Sequence, residues 1–162
     1  MEIGGTAAGG GAVSAGGTVA GADAARSEAV RRLVLGELAA VNRQDPEGLA
    51  AHFAVDCEFV DLSDGSRIRG REDFLADLLD LFRCVPDFHV VEKRLAVEGD
   101  VCAAEIVLAG TPVDEWRGFA PTGAEFTWHT CSFYDLDADG EHLLRERMYY
   151  DAARLDRQLA GG

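Results

Sequence analysis

Glu37 is the residue whose position is chemically most costly. It shares one helical stripe with Val30, Val34 and Val41, so the pattern sets a carboxylate on an apolar helix face. An ionised carboxylate leaves water only when it is paired, or when its pKa rises until it keeps a proton. Glu37 therefore either sits at the rim of the stripe and reaches solvent, or is a buried acid with a proton to give. A second acid, Glu146, ends a run with the spacing of an EF-hand calcium loop, Asp135-x-Asp137-x-Asp139-Gly140 and then Glu146. That loop needs a helix on each side, whereas Phe126 to Tyr134 is rich in Thr, Phe, Trp and Tyr and reads as a strand. His142 also occupies a loop position where an aliphatic residue is usual. The expectation is an acidic hairpin, with Glu146 pointing inward on the returning strand.

Other chemistries lack their spacing. His52, His89, His129 and His142 form no H-E-x-x-H, and Cys57, Cys84, Cys102 and Cys131 form no C-x-x-C pair, so no metal site is expected. No phosphate loop and no G-x-S-x-G elbow is present. Scattered cysteines, three of them in apolar strand-like runs, fit a reducing cytoplasm. With 29 acidic and 15 basic residues the formal charge is −14, which argues against nucleic acid as a partner. No signal-peptide pattern and no bilayer-spanning stretch is found, so a membrane partner is not expected either.

The elements that must position these acids follow from periodicity. Residues 1–26, rich in glycine and alanine, read as a flexible tail, and 27–162 as one domain. Ser27 is the expected N-cap of a first helix reaching Arg43. Asp45-Pro46-Glu47 opens a short helix through His52, and a third helix follows Gly70. Strands are expected at Cys57–Leu62, near Arg67-Ile68, and at Phe88–Val97, Val101–Ala109, Glu115–Phe119, Phe126–Leu136 and Glu141–Tyr150. A last helix spans Asp151 to Leu159. Helices first and a mainly antiparallel sheet after them define an α+β fold. On the Phe126–Leu136 strand, alternation sets Trp128, Thr130 and Ser132 on one face and His129, Cys131 and Phe133 on the other. A lone strand histidine is more often structural than catalytic, so His129 is held in reserve as a base.

Several punctuating motifs carry a family likeness: Pro86-Asp87, Glu98-Gly99-Asp100, Gly110-Thr111-Pro112, Gly118 and Pro121-Thr122-Gly123. Asp139-Gly140, Tyr149-Tyr150-Asp151 and Gln158-Leu159 complete the set. In order and spacing they resemble the SnoaL-like polyketide cyclases, a branch of the nuclear transport factor 2-like superfamily, over Ser27 to Leu159. The resemblance implies a cone-shaped fold, a curved sheet wrapping three N-terminal helices with a short C-terminal helix, a pocket inside, and a homodimer formed through the sheet.

Residues Glu37 to Gly70 also align without a gap against ketosteroid isomerase of the same superfamily. Asp61 falls on its catalytic aspartate and Glu37 on an oxyanion-hole tyrosine; otherwise Asp61 simply ends a strand before the Asp64-Gly65 turn. Thr130 and Ser132 fall on polar pocket residues of the cyclases, with Trp128 as a wall. The cyclases' catalytic aspartate falls on Met148, which transfers no proton, while Glu146 takes the place of a histidine. Expected catalytic residues are thus Asp61, Glu37 and Glu146, with Phe59, Trp128, Thr130, Ser132 and Met148 binding substrate. The implied activity is cofactor-independent acid–base chemistry on a hydrophobic carbonyl compound of secondary metabolism: aldol-type cyclisation, isomerisation or dehydration. The alternatives are epoxide-hydrolase-type water addition and a non-catalytic ligand-binding or dimerisation module.

Overall fold

The computed structural model describes residues 19–162, and the expected tail over 1–18 lies outside the described residues. Residues 19–26 are not a tail: the first helix, α1, runs Val19–Asn42, with Ser27 inside it rather than capping it. Two forces favour the extension. Alanine-rich sequence propagates a helix readily once its other end is packed. Arg26 then ties the new turns down, reaching the Asp100 carboxylate at 3.3 Å and the carbonyl oxygens of Asp137 and Ala138 at 2.9 and 3.1 Å.

The second helix, α2 (Pro46–Ala50), starts where Asp45 accepts a hydrogen bond from the Gly48 amide at 2.8 Å. Helix α3 (Arg71–Cys84) follows Gly70, whose φ of 86° suits only glycine. Its Phe74 ring packs 4.7 Å from Phe53 and 5.7 Å from Phe59, fixing α3 against the sheet. Helix α4 (Ala152–Leu159) is capped by Asp151 and buries Leu155 and Leu159.

Six strands form one sheet: β1 (Phe53–Asp61), β2 (Arg67–Arg69), β3 (His89–Glu98), β4 (Val101–Gly110), β5 (Phe126–Leu136) and β6 (Leu143–Tyr150). Their order is β2-β1-β6-β5-β4-β3, with every neighbour antiparallel except the parallel pair β1 and β6. Register shifts in β1, β3 and β5 bend the ladders, as bulges do. Helix α1 crosses β3 to β6 and α3 packs on β1, so one face of the sheet is covered and carries the core. The fold is the α+β arrangement expected, a mixed and mostly antiparallel sheet with helices on one side.

Glu115–Phe119 is not a strand. Trp116 and Phe119 exchange backbone hydrogen bonds of 3.1 and 3.0 Å around Arg117-Gly118. Both central residues have positive φ, 53° and 81°, which is the geometry of a mirror-image two-residue turn. With the chain reversing after so few residues, no ladder can grow.

Candidate functional site

A cavity of about 360 Å³ opens between α1, α3 and the covered face of the sheet. Its size is that of a small-molecule pocket. All eight residues expected from sequence line it. Asp61, Glu37 and Glu146 contribute carboxyls, and Phe59, Trp128, Thr130, Ser132 and Met148 contribute walls and floor. Period-two alternation on β5 does the positioning, since Phe126, Trp128, Thr130, Ser132 and Tyr134 all face inward and are buried.

Two of the carboxyls, Glu37 and Glu146, are buried and act on one another. Glu37 is 6% exposed and Glu146 5% exposed. Glu146 Oε1 accepts a hydrogen bond from Ser132 Oγ at 2.8 Å, while Glu37 Oε2 has no hydrogen-bond partner among the described residues. Burial drives the Glu37 carboxyl well above the usual carboxylate range, and the negative charge of Glu146 drives it the same way. Glu146 is also raised, by burial, although hydrogen bonds from Ser132 and Tyr134 favour its charged form. Two acids this close in so dry a place do not both ionise at neutral pH, so Glu37 is the natural holder of a proton. Tyr134, fully buried between strands, keeps its own proton because burial and both carboxylates disfavour the phenolate.

Asp61 stands apart from this pair. The β1–β6 register sets Asp61 opposite Met148 and Phe59 opposite Glu146, two residues or about 7 Å along the strand. Its oxygens are well supplied with donors. Tyr150 Oη bonds Oδ2 at 2.7 Å, and the Ser63 amide and hydroxyl bond Oδ1 at 2.8 and 2.6 Å. Tyr150 itself is pushed up to about 12, first by burial, with the Asp61 charge acting alike. Met148 lies between the two acidic poles, opposite Asp61 on one side and Ser132 on the other. The floor between Asp61 and the carboxyl pair is therefore a thioether, an apolar surface that carries no proton.

The calcium spacing is used otherwise. Asp135 pairs with Arg147 at 2.9 Å, Asp137 with His142 at 3.3 Å, and Arg26 takes the loop carbonyls. Glu146 turns away into the cavity. No metal-holding cluster of His, Cys, Asp or Glu occurs among the described residues. His129 lies on the outer face, 3.4 Å from Arg154, away from the cavity.

Other contributors were not anticipated, among them Ser63, which holds Asp61. Tyr134 and Tyr150 each lie two residues beyond an expected site residue on the same strand face, so alternation alone was enough to find them. Trp116 and Arg117 also line the cavity, from the mirror turn, and no periodic signal marks them.

This cavity, walled by helices on one side and a bent sheet on the other, defines the ketosteroid isomerase-like, nuclear transport factor 2-like class. The chain belongs to the SnoaL-like polyketide cyclase family, whose model matches residues 32–159. Solved structures agree on the fold. A protein from Xanthomonas campestris pv. campestris, described as a candidate polyketide cyclase, is 23% identical with a TM-score of 0.74, covering 83% of this chain and 98% of its own. AclR from Streptomyces galilaeus, described as a candidate hydroxylase, is 20% identical with a TM-score of 0.71, covering 84% and 98%. A Catenulispora acidiphila protein with a ketosteroid isomerase-like fold, in complex with trimethylamine, is 21% identical with a TM-score of 0.64, covering 78% and 90%. No match was found among curated proteins.

Proposed function

We propose that this protein is a cofactor-independent acid–base enzyme acting on a hydrophobic carbonyl compound, and that it closes a ring by aldol addition. One observation carries the reading: a hydrogen-bonded Asp61 carboxyl and a buried Glu37–Glu146 carboxyl pair line one cavity, with Met148 in the floor beside both. Asp61 takes a proton from the carbon next to a carbonyl. The resulting enolate carbon attacks a second carbonyl of the same molecule, forming a C–C bond and an alkoxide. The Glu37–Glu146 pair gives that alkoxide a proton, and the proton held by Asp61 returns through water to the pair, so that both groups regain their starting states. The same proton relay without C–C bond formation is isomerisation, and loss of the new hydroxyl afterwards is a lyase step. Ketosteroid isomerase divides labour between an ionised and a neutral carboxyl in this way.

Water addition is the second reading. The Glu37 Oε2 atom, which has no hydrogen-bond partner among the described residues, supports it, being free to hold a water. The setting we propose is secondary metabolism in a reducing cytoplasm, supported by four free cysteines, with a homodimer formed through the uncovered sheet face.

The deciding experiment is solvent-deuterium exchange at carbon acids, with polycyclic ketones and β-keto esters, comparing the wild type with Asp61→Asn. Exchange that collapses by about 10² or more in the variant supports proton abstraction. Ligands that bind without exchanging remove it in favour of water addition or plain binding.

A further inference from the structure

Arg117 is conspicuous for its setting. The turn that holds it requires left-handed backbone, φ 53° at Arg117 and 81° at Gly118, a conformation that glycine or asparagine adopts at less cost than arginine. Its side chain is 24% exposed although the residue stands out on the turn, and none of its five donors makes a hydrogen bond to another described residue. Its ion-pair contact with Asp156 is stretched to 4.0 Å, and Asp156 is itself 44% exposed. Two aromatic faces brace it instead: the guanidinium carbon lies 5.6 Å from the Tyr150 ring centre and 6.0 Å from that of Trp116. A flat fork held this way, with its N–H edges unused, suits a planar two-oxygen acceptor.

The rest of the cavity decides where such an acceptor goes. Arg117 is the one basic residue among the described residues lining it, against six acids: Glu37, Asp61, Asp64, Asp77, Asp80 and Glu146. An anion is repelled along the α3 side and beside Asp61, and has a single favourable berth. Neutral apolar surface from Phe59, Trp128 and Met148 fills the remaining length.

We propose that Arg117 is the specificity-determining residue of this cavity, selecting ligands with a free carboxylate and seating it at the exposed end while the apolar body lies inward. The proposal rests on the cavity being the ligand site and is independent of turnover.

The test is calorimetric titration of the full chain with naphthoic acid, its methyl ester, its primary amide and naphthylmethylamine. Wild type, Arg117→Asn and Arg117→Lys are compared. Asparagine keeps the left-handed turn and removes the charge; lysine keeps the charge and loses the fork. Wild type should bind the acid about tenfold or more tighter than the ester and amide, as a bidentate charged pair implies. Arg117→Asn should bring the acid down to the ester's affinity and leave the ester within about twofold, with Arg117→Lys between. Acid affinity should fall with added salt and ester affinity should not. Equal binding of acid and ester by wild type overturns the proposal. So does preference for the amine, a uniform loss across all four probes in Arg117→Asn, or no binding of any of them. If Arg117→Asn does not fold, the wild-type ratio and its salt dependence decide. Selective acid binding, with no proton exchange on the ketones and β-keto esters, leaves the proposal standing and removes the proton-abstraction reading above.

Discussion

Tyr150 donates its hydroxyl to Asp61 Oδ2 at 2.7 Å, tying the last residue of β6 to the last residue of β1. With the two Ser63 donors on Oδ1, the carboxylate is held from three directions in a nearly dry place. A hydrogen bond to a charged group that is buried is worth more than one at the surface. Tyr150→Phe should therefore lower unfolding free energy by about 1–3 kcal/mol in urea. In a double-mutant cycle with Asp61→Asn the two changes should couple by at least about 1 kcal/mol. Simple additivity would mean that the contact contributes nothing.

The Glu37–Glu146 pair makes stability depend on pH in a definite direction. In the unfolded chain a glutamate loses its proton near about pH 4.3. In the fold both carboxyls are raised, so over the range above that value the folded state holds more protons than the unfolded one. Stability is then full at low pH and falls as pH rises through the raised folded values. Glu37→Gln keeps the shape and removes the titration. Its unfolding free energy should match wild type near about pH 5 and exceed it near about pH 8, with a visibly flatter profile between. A parallel pair of profiles would show that Glu37 is ionised and paired instead.

These features differ in how plainly the sequence shows them. Glu37 and the Trp128, Thr130 and Ser132 face follow from period alone, because helix and strand geometry leave a side chain only one direction to point. The same rule reaches Tyr134 and Tyr150, but a tyrosine in a strand resembles ordinary core until its hydroxyl is placed against Glu146 or Asp61. Ser27 misleads for the opposite reason. A local capping signal is outweighed by Arg26 contacts to residues 74 and 111 positions away, which no local pattern contains. Arg117 is the extreme case, since its role follows from the sign of φ and from two aromatic faces brought in by tertiary packing.

Met148 tests whether the floor must be apolar. Leucine there conserves volume and polarity, so Met148→Leu should cost less than about 1.5 kcal/mol and keep proton exchange within about tenfold of wild type. Met148→Asp restores the acid of the cyclase pattern but sets it opposite Asp61, so that two carboxyls crowd one buried place. It should destabilise the fold by about 3 kcal/mol or more near neutral pH and by less in acid, where it is protonated. Chemical denaturation at two pH values, with exchange rates alongside, separates the two variants. A Met148→Asp protein that is stable and faster would show that the floor tolerates a third acid and that apolar character there is not needed.

The uncovered sheet face makes the dimer proposal testable. Its centre is apolar, with Phe133 and Tyr149 edge to face at 6.0 Å and 36% and 47% exposed. Around them the face is polarised. The β1, β2 and β6 side carries Arg67, Arg69, Arg145 and Arg147 against Glu58 and Asp135. Toward β3 and β4 a shallow groove holds Glu92 and Glu105 with Arg94. A two-fold axis through the aromatic centre would bring the basic half of one copy over the acidic half of the other, which is what an isologous contact requires. Tyr149→Asp and Phe133→Asp should therefore give monomers in sedimentation equilibrium at concentrations where wild type is dimeric. The double charge reversal Arg145→Glu with Glu105→Arg should retain the dimer better than either single change. Wild type that sediments as a monomer at high concentration would remove the dimer and leave this face without its second copy.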